Sequence, residues 1–314
     1  MYRATAPGSL MLLGEYALLH GKTAIVAAID KFISITLKPR SDDWIFIDSA
    51  LGSLTLDRHQ IILQAPFEFV LATLALKKPP SGCNIKITSN LPASFGLGSS
   101  AAVTVALLIV LNRWLEKKSL TKLNLWQEAL QVIHQVQKGG SGADCAASIF
   151  GGVIAFRNPP FSVISLQEIP PLAVVYSGSK FTTAQAINII NSRRQKQLTN
   201  YKIIDEKMNQ LSKKGITAIN TKNWISLGNL FNSGQKLMKA IGVSNRHLEN
   251  LLKGLREQPH ILGAKISGSG LGDCLIGVGK LSPNFFPRNK EETKLGVKQL
   301  YLIITSEGAS FNET

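Results

Sequence analysis

The chain has 314 residues, of which 45% are hydrophobic and 18% charged, with a formal charge of +15 at pH 7. Such a length fits one large domain or two ordinary ones, and so apolar a composition excludes a disordered chain. The charge invites a nucleic-acid or membrane reading, which depends on where it sits.

In chain order, Leu10–Leu13, Thr23–Ile29 and Phe32–Leu37 are short apolar segments punctuated by glycine. The last alternates β-branched with polar side chains, so strands are predicted here. Trp44–Ile47 and Ile85–Thr88 are further predicted strands, and Pro66–Leu76 a helix stopped by Lys77-Lys78-Pro79-Pro80. Leu91–Ala102 is a glycine loop that opens into an Ala, Val and Leu-rich helix running to Trp114. Leu125, Ala129, Val132, Ile133 and Val136 have helical spacing, which ends at Gly139-Gly140. A small-residue stretch then reaches Gly151-Gly152, and Val153–Phe156 is a predicted strand. Beyond it come a strand at Leu172–Tyr176, a helix from Thr182 into the 190s, and helices near 200–212, 223–240 and 244–257. Strands at Leu262–Ile266 and Asp273–Val278 flank a last glycine loop.

Residues 1–150 hold 14 basic and 10 acidic side chains, and residues 151–314 hold 21 and 10. The excess therefore lies in the second half, in short runs such as Arg193, Arg194 and Lys196, broken by acids and apolar residues. Solvated helix faces account for it, and no nucleic-acid partner is expected. Cys83, Cys145 and Cys274 are scattered and form no C-x-x-C, which fits a reducing cytoplasm. The longest apolar run, Ala101–Leu111, is about half of the roughly 20 residues a spanning helix needs. Glu15 interrupts Leu10–Leu19, so that stretch makes a poor signal peptide. A soluble cytoplasmic protein without a membrane partner is expected.

Four segments carry chemistry. In Gly96-Leu97-Gly98-Ser99-Ser100, glycines let successive N–H groups face one point at the positive end of the following helix, a cradle for phosphate oxygens. The loop lacks the Walker spacing and its lysine, and Ala101 stands where G-x-G-x-x-G needs a third glycine. A tight turn serving only helix packing is the alternative. Gly139–Asp144 sets a lone carboxylate among small residues, where it could steer an alcohol's proton or merely cap a helix. Ser267–Cys274 spaces three glycines by one residue between two strands, a pattern a plain hairpin shares. Glu15, in Gly14-Glu15-Tyr16, needs a partner or a ligand in apolar surroundings.

Together and in this order, Pro7–Tyr16, Leu91–Ala102 and Ser267–Cys274 resemble the three motifs of the galactokinase, homoserine kinase, mevalonate kinase and phosphomevalonate kinase family, over about Ala6 to Gly279. The resemblance implies an α/β (α+β) fold of two lobes, an N-terminal ribosomal-protein-S5-like lobe over 1–160 and a C-terminal ferredoxin-like lobe over 161–314. It implies phosphoryl transfer from ATP with Mg²⁺ to a small alcohol or phosphorylated acceptor. By position, Gly96, Leu97, Gly98, Ser99, Ser100 and Ala101 would hold the triphosphate, and Ser100 or Ser99 would reach the metal. Asp144 would be the catalytic aspartate. Glu15, Tyr16, His20, Thr183, Gly268, Ser269 and Gly270 would form the acceptor side, with Gly272 helping the third loop to close. A homodimer is compatible with the family.

Two departures stand out. Ser9 occupies the place of a lysine that usually pairs with the catalytic aspartate, leaving Lys22 or Lys265 as substitutes. Ile133 occupies the slot of a metal-binding Glu, so the ion would rest on serine, phosphates and water. The isoprenoid branch is nearest. His20-Gly21-Lys22 and Gly242-Val243-Ser244 resemble mevalonate kinases, while Tyr16, Phe95, Ala143–Ala146 and Gly272-Asp273-Cys274 resemble phosphomevalonate kinases. Mevalonate is the expected acceptor and phosphomevalonate the alternative, for which Arg193, Arg194 and Lys196 would supply cations. Ser9 and Ile133 also motivate a third reading, a nucleotide-binding relative without turnover.

Overall fold

The computed structural model describes residues 1–92, 95–116, 120–179, 181 and 183–313. In chain order its elements are β1 (Tyr2–Leu13), a 3₁₀ turn (Ala17–His20), β2 (Ala24–Pro39), β3 (Trp44–Ser49), β4 (Gly52–Asp57), α1 (Glu68–Lys77) and β5 (Cys83–Ser89). There follow α2 (Ser99–Glu116), α3 (Lys122–Gln137), α4 (Ala143–Phe150), β6 (Val153–Arg157), β7 (Ser162–Leu166) and β8 (Leu172–Tyr176). Then come α5 (Thr183–Lys196), α6 (Leu198–Asn220), α7 (Trp224–Ala240), α8 (Arg246–Arg256), β9 (Ile261–Ile266), β10 (Cys274–Gly279), α9 (Lys290–Leu295), β11 (Lys298–Leu300) and β12 (Ser310–Glu313).

The first sheet has the order β12-β1-β2-β5-β3-β4, with β6 on β2 and β7 on β6. Its spine is the antiparallel pair β1 and β2, in register from Tyr2↔Leu37 to Leu13↔Ile25. A bulge between Pro7 and Gly8 accommodates Asp30-Lys31, so the two separate strands predicted on either side are one strand. Helices α2 and α4 lie on this sheet, and α1 and α3 pack against them. Helix α2 lies at the centre: Val105, Ala106, Leu107, Leu108, Val110 and Leu111 are all wholly buried, as its nearly continuous apolar run requires. Lys77 reaches both Asn112 (2.6 Å) and Glu128 (3.0 Å), so one ammonium ties α1 to α2 and α3.

The second sheet, β11-β8-β10-β9, is antiparallel throughout and packs against the helices of the second half. Among the described residues no helix is long and apolar enough to cross a membrane.

Strand β7 extends the first sheet through Val153↔Leu166, and the end of the chain returns to it through Ile29↔Ile304 and Tyr2↔Glu313. Two-residue alternation in such short, half-exposed strands is too weak a signal to assign them from sequence.

Candidate active site

The phosphate-type loop is built by β1 as much as by its own glycines. Ser9 donates its backbone N–H to Leu97 O at 2.9 Å, fixing the loop against the strand. Gly96 and Gly98 have φ of 69° and 73°, the left-handed region that favours glycine. A Cβ on Gly98 would lie 2.1 Å from Ser9 Oγ, and one on Gly96 would lie 2.7 Å from Asp273 Oδ2. Glycine is therefore required here by conformation and by space. The loop feeds into the first turn of α2, which contains no acid, so the positive end of an 18-residue helix faces the opening.

Asp144 sits in the first turn of α4, beside the same opening. Gly142 starts that helix, and its carbonyl accepts from Trp126 Nε1 at 2.9 Å, which anchors the turn to α3. Ser9 Oγ donates to Asp144 Oδ1 at 2.7 Å. One side chain thus touches both the glycine loop and the aspartate. Asp144 is exposed to the open cleft, yet the protein walls around it still desolvate the carboxylate and so raise its pKa; the Ser9 hydrogen bond acts in the opposite direction.

Ser9, the glycine loop and Asp144 share a cavity of about 560 Å³ with Glu15, Tyr16 and the third loop. Gly268 and Ser269 line it, whereas Gly270 packs against Val243 outside. Three contacts fasten the third loop to the first motif: Lys265 Nζ to Glu15, Tyr16 Oη to the Ser269 carbonyl, and Ser267 Oγ to Met11 O at 2.9 Å. Burial, reinforced by Glu15, pushes the Tyr16 phenol pKa up, so it remains a donor.

Several expectations change. Leu97 is wholly buried and holds the loop from behind rather than lining the cavity. His20 is exposed at the end of the 3₁₀ turn and lies away from the cavity lining. Thr183 opens α5, and its side chain lies outside the described residues, as does Thr182. Lys22 pairs with Glu206 at 2.5 Å and Lys265 with Glu15, so neither substitutes for a lysine at Ser9. Arg193 donates to Ile241 O and Gly242 O, both at 3.0 Å, and Arg194 grips Asp205 with two bonds of 2.8 Å. Arg193 and Lys196 line a separate surface depression beside α6. These three cations do not line the cleft.

Ile133 does face the cavity, and a carboxylate missed by sequence reasoning lines it as well: Glu68, at the start of α1. An acid in a first helical turn is ordinarily explained by the helix dipole, which conceals such a residue in a sequence. Among the described residues no group of three or more His, Cys, Asp or Glu could hold a metal ion.

The GHMP kinases N terminal domain family matches residues 65–152, and the GHMP kinases C terminal family matches residues 216–287. A mevalonate kinase of Archaeoglobus fulgidus is 32% identical over 280 residues, covering 88% of this chain and 92% of that protein. The chain belongs to the GHMP kinase family. A Pyrococcus abyssi mevalonate kinase is 30% identical, with 87% of each chain covered. The crystal structure of Methanococcus jannaschii mevalonate kinase shares the fold, with a TM-score of 0.78 at 23% identity over 96% of this chain and 98% of that one. As a GHMP kinase, the chain is an ATP-dependent kinase of mixed α/β fold.

Proposed function

We propose that this GHMP kinase transfers the γ-phosphoryl group of ATP to the primary alcohol of mevalonate, in isoprenoid precursor synthesis. The observation that carries the reading is the Ser9–Asp144 hydrogen bond of 2.7 Å, made where the glycine loop and the acceptor side of one cavity meet. The two curated relatives described above are mevalonate kinases, and they supply the acceptor. The working lobes are residues 1–166 with the returning segment 304–313, and residues 172–300.

Backbone N–H groups of Gly96–Ala101 and the start of α2 bind the phosphates, with the Ser99 and Ser100 hydroxyls beside them. Glu15, Tyr16, Gly268 and Ser269 bound the acceptor. Asp144 accepts or steers the proton of the attacking hydroxyl, and Ser9 orients the carboxylate without adding charge. A raised pKa makes Asp144 a stronger base once ionised, while delaying ionisation to higher pH.

Mg²⁺ fits this donor set, because that ion needs only one or two protein oxygens beside phosphates and water. Ser100, with Ser99, would hold it, and it would neutralise charge on the transferring group. No protein cage is required.

A coupled ADP-release assay with mevalonate and then phosphomevalonate tests the proposal. Turnover of mevalonate supports it. Turnover of phosphomevalonate alone reassigns the acceptor, and tight ATP binding with neither turned over makes the chain a non-catalytic relative.

A further inference from the structure

Lys265 is wholly buried, and no other Lys or Arg among the described residues is. An ammonium taken out of water is costly unless its charge and donors are met. Its Nζ donates to Glu15 Oε1 and to its neighbour's carbonyl, Ile266 O, and stands 6.0 Å from the centre of the buried Phe231 ring. The stem passes Gly234 of α7, where an added Cβ would already be 3.4 Å from Cε. The strand carrying it is pinned as well: Ile266 N donates to the buried Gln235 at 3.0 Å, and Lys265 pairs with Ile276 across β10. Lys265 does not line the cavity; Glu15 does, at 5% exposure.

We infer that Lys265 is a positioning residue for acceptor recognition: from beneath the cleft it holds and aims the Glu15 carboxylate, leaving one oxygen for an acceptor hydroxyl. Only Oε1 of Glu15 is hydrogen-bonded among the described residues, so Oε2 is the oxygen on offer. A carboxylate at this depth without a cation is costly, and it would turn toward any other donor within reach instead of holding an oxygen toward the acceptor hydroxyl. Lys265 therefore acts on the acceptor through Glu15 and has no direct part in ATP binding. This inference rests on the acceptor reading above.

The test compares the wild type, K265M and the neutral double variant E15Q/K265M, which stays foldable because no unpaired charge remains. K265M should raise the KM for mevalonate about tenfold or more while the KM for ATP stays within about twofold. In E15Q/K265M the mevalonate KM should be high as well. Equal changes in both KM values, or an unchanged mevalonate KM in K265M, would overturn the inference. If the wild type turns over no mevalonate, the acceptor reading fails, and urea unfolding tests the pair by itself. K265M should unfold at a clearly lower urea concentration than E15Q/K265M, because it leaves the buried Glu15 carboxylate without its cation, whereas the double variant removes both charges. Equal midpoints for the two variants would refute charge-holding by Lys265.

Discussion

Replacing Ser9 by alanine removes one hydroxyl and, with it, the 2.7 Å hydrogen bond to Asp144. Hydrogen bonds to charged groups contribute about 1.5–3 kcal/mol, and water in the open cleft puts this one near 1.5 kcal/mol, roughly a tenfold effect. The bond favours the ionised carboxylate, against the burial that raises its pKa. Without it the pKa rises further, so the ionised fraction falls about tenfold on the acid side and hardly at all on the alkaline plateau. The sign for stability follows the same shift. A carboxyl whose pKa is raised by folding contributes most at low pH and loses that contribution as pH climbs through the folded value. The measurement is kcat against pH for the wild type and S9A, using ADP release. The acid limb should move to higher pH while the plateau keeps its height. A uniform drop at all pH values, with the limb unmoved, would refute the electrostatic role of Ser9.

Asp144→Asn keeps the shape and the acceptor oxygen for Ser9 but removes the base, so turnover should fall by about 10²- to 10⁴-fold with ATP affinity within about twofold, by single-turnover kinetics and calorimetry. Gly98→Ala adds a Cβ 2.1 Å from Ser9 Oγ at a φ of 73°. It should cost about 1–3 kcal/mol of stability and weaken ATP binding, as melting curves with and without ATP would show. Burial pushes the Cys83 thiol up to about 12 and raises the Cys145 and Cys274 thiols too. A thiol reagent at neutral pH should therefore label none of the three in the native protein and all three in urea; native labelling would contradict this packing. Asp205→Ala leaves Arg194 without its two-bond partner in a buried setting, and should destabilise by about 3–5 kcal/mol in urea titrations.

The glycine loop and α2 were legible in the sequence because their signals are local: left-handed glycines followed by a long apolar helix. Strand β8 and helix α3 were equally plain, from β-branched clustering and from helical spacing. Helix α4 was not. Its eight residues are too few to repeat a helical pattern, and its small Ala, Cys and Ser side chains are buried on nearly every side. The sequence also showed that Ser9 brings no charge, yet only folding reveals that its hydroxyl meets Asp144 across 135 positions. His20 lies apart for a geometric reason: the 3₁₀ turn after Tyr16 carries it around to the surface, away from the cavity its neighbours line.

The contacts of Lys265, Tyr16 and Ser267 with the first motif have a mechanical consequence. They cross between the two sheets beneath the cavity, so the cleft is clamped at its base. Any motion that parts the two sheets must strain these contacts, in which Phe181 and Ile187 on one wall of the cavity and Glu68 and Phe69 on another take no part. Ligands then arrive at a base whose shape is already set, and little ordering is left to pay for there. Whatever selectivity comes from closure has to be exercised at walls that these contacts leave free.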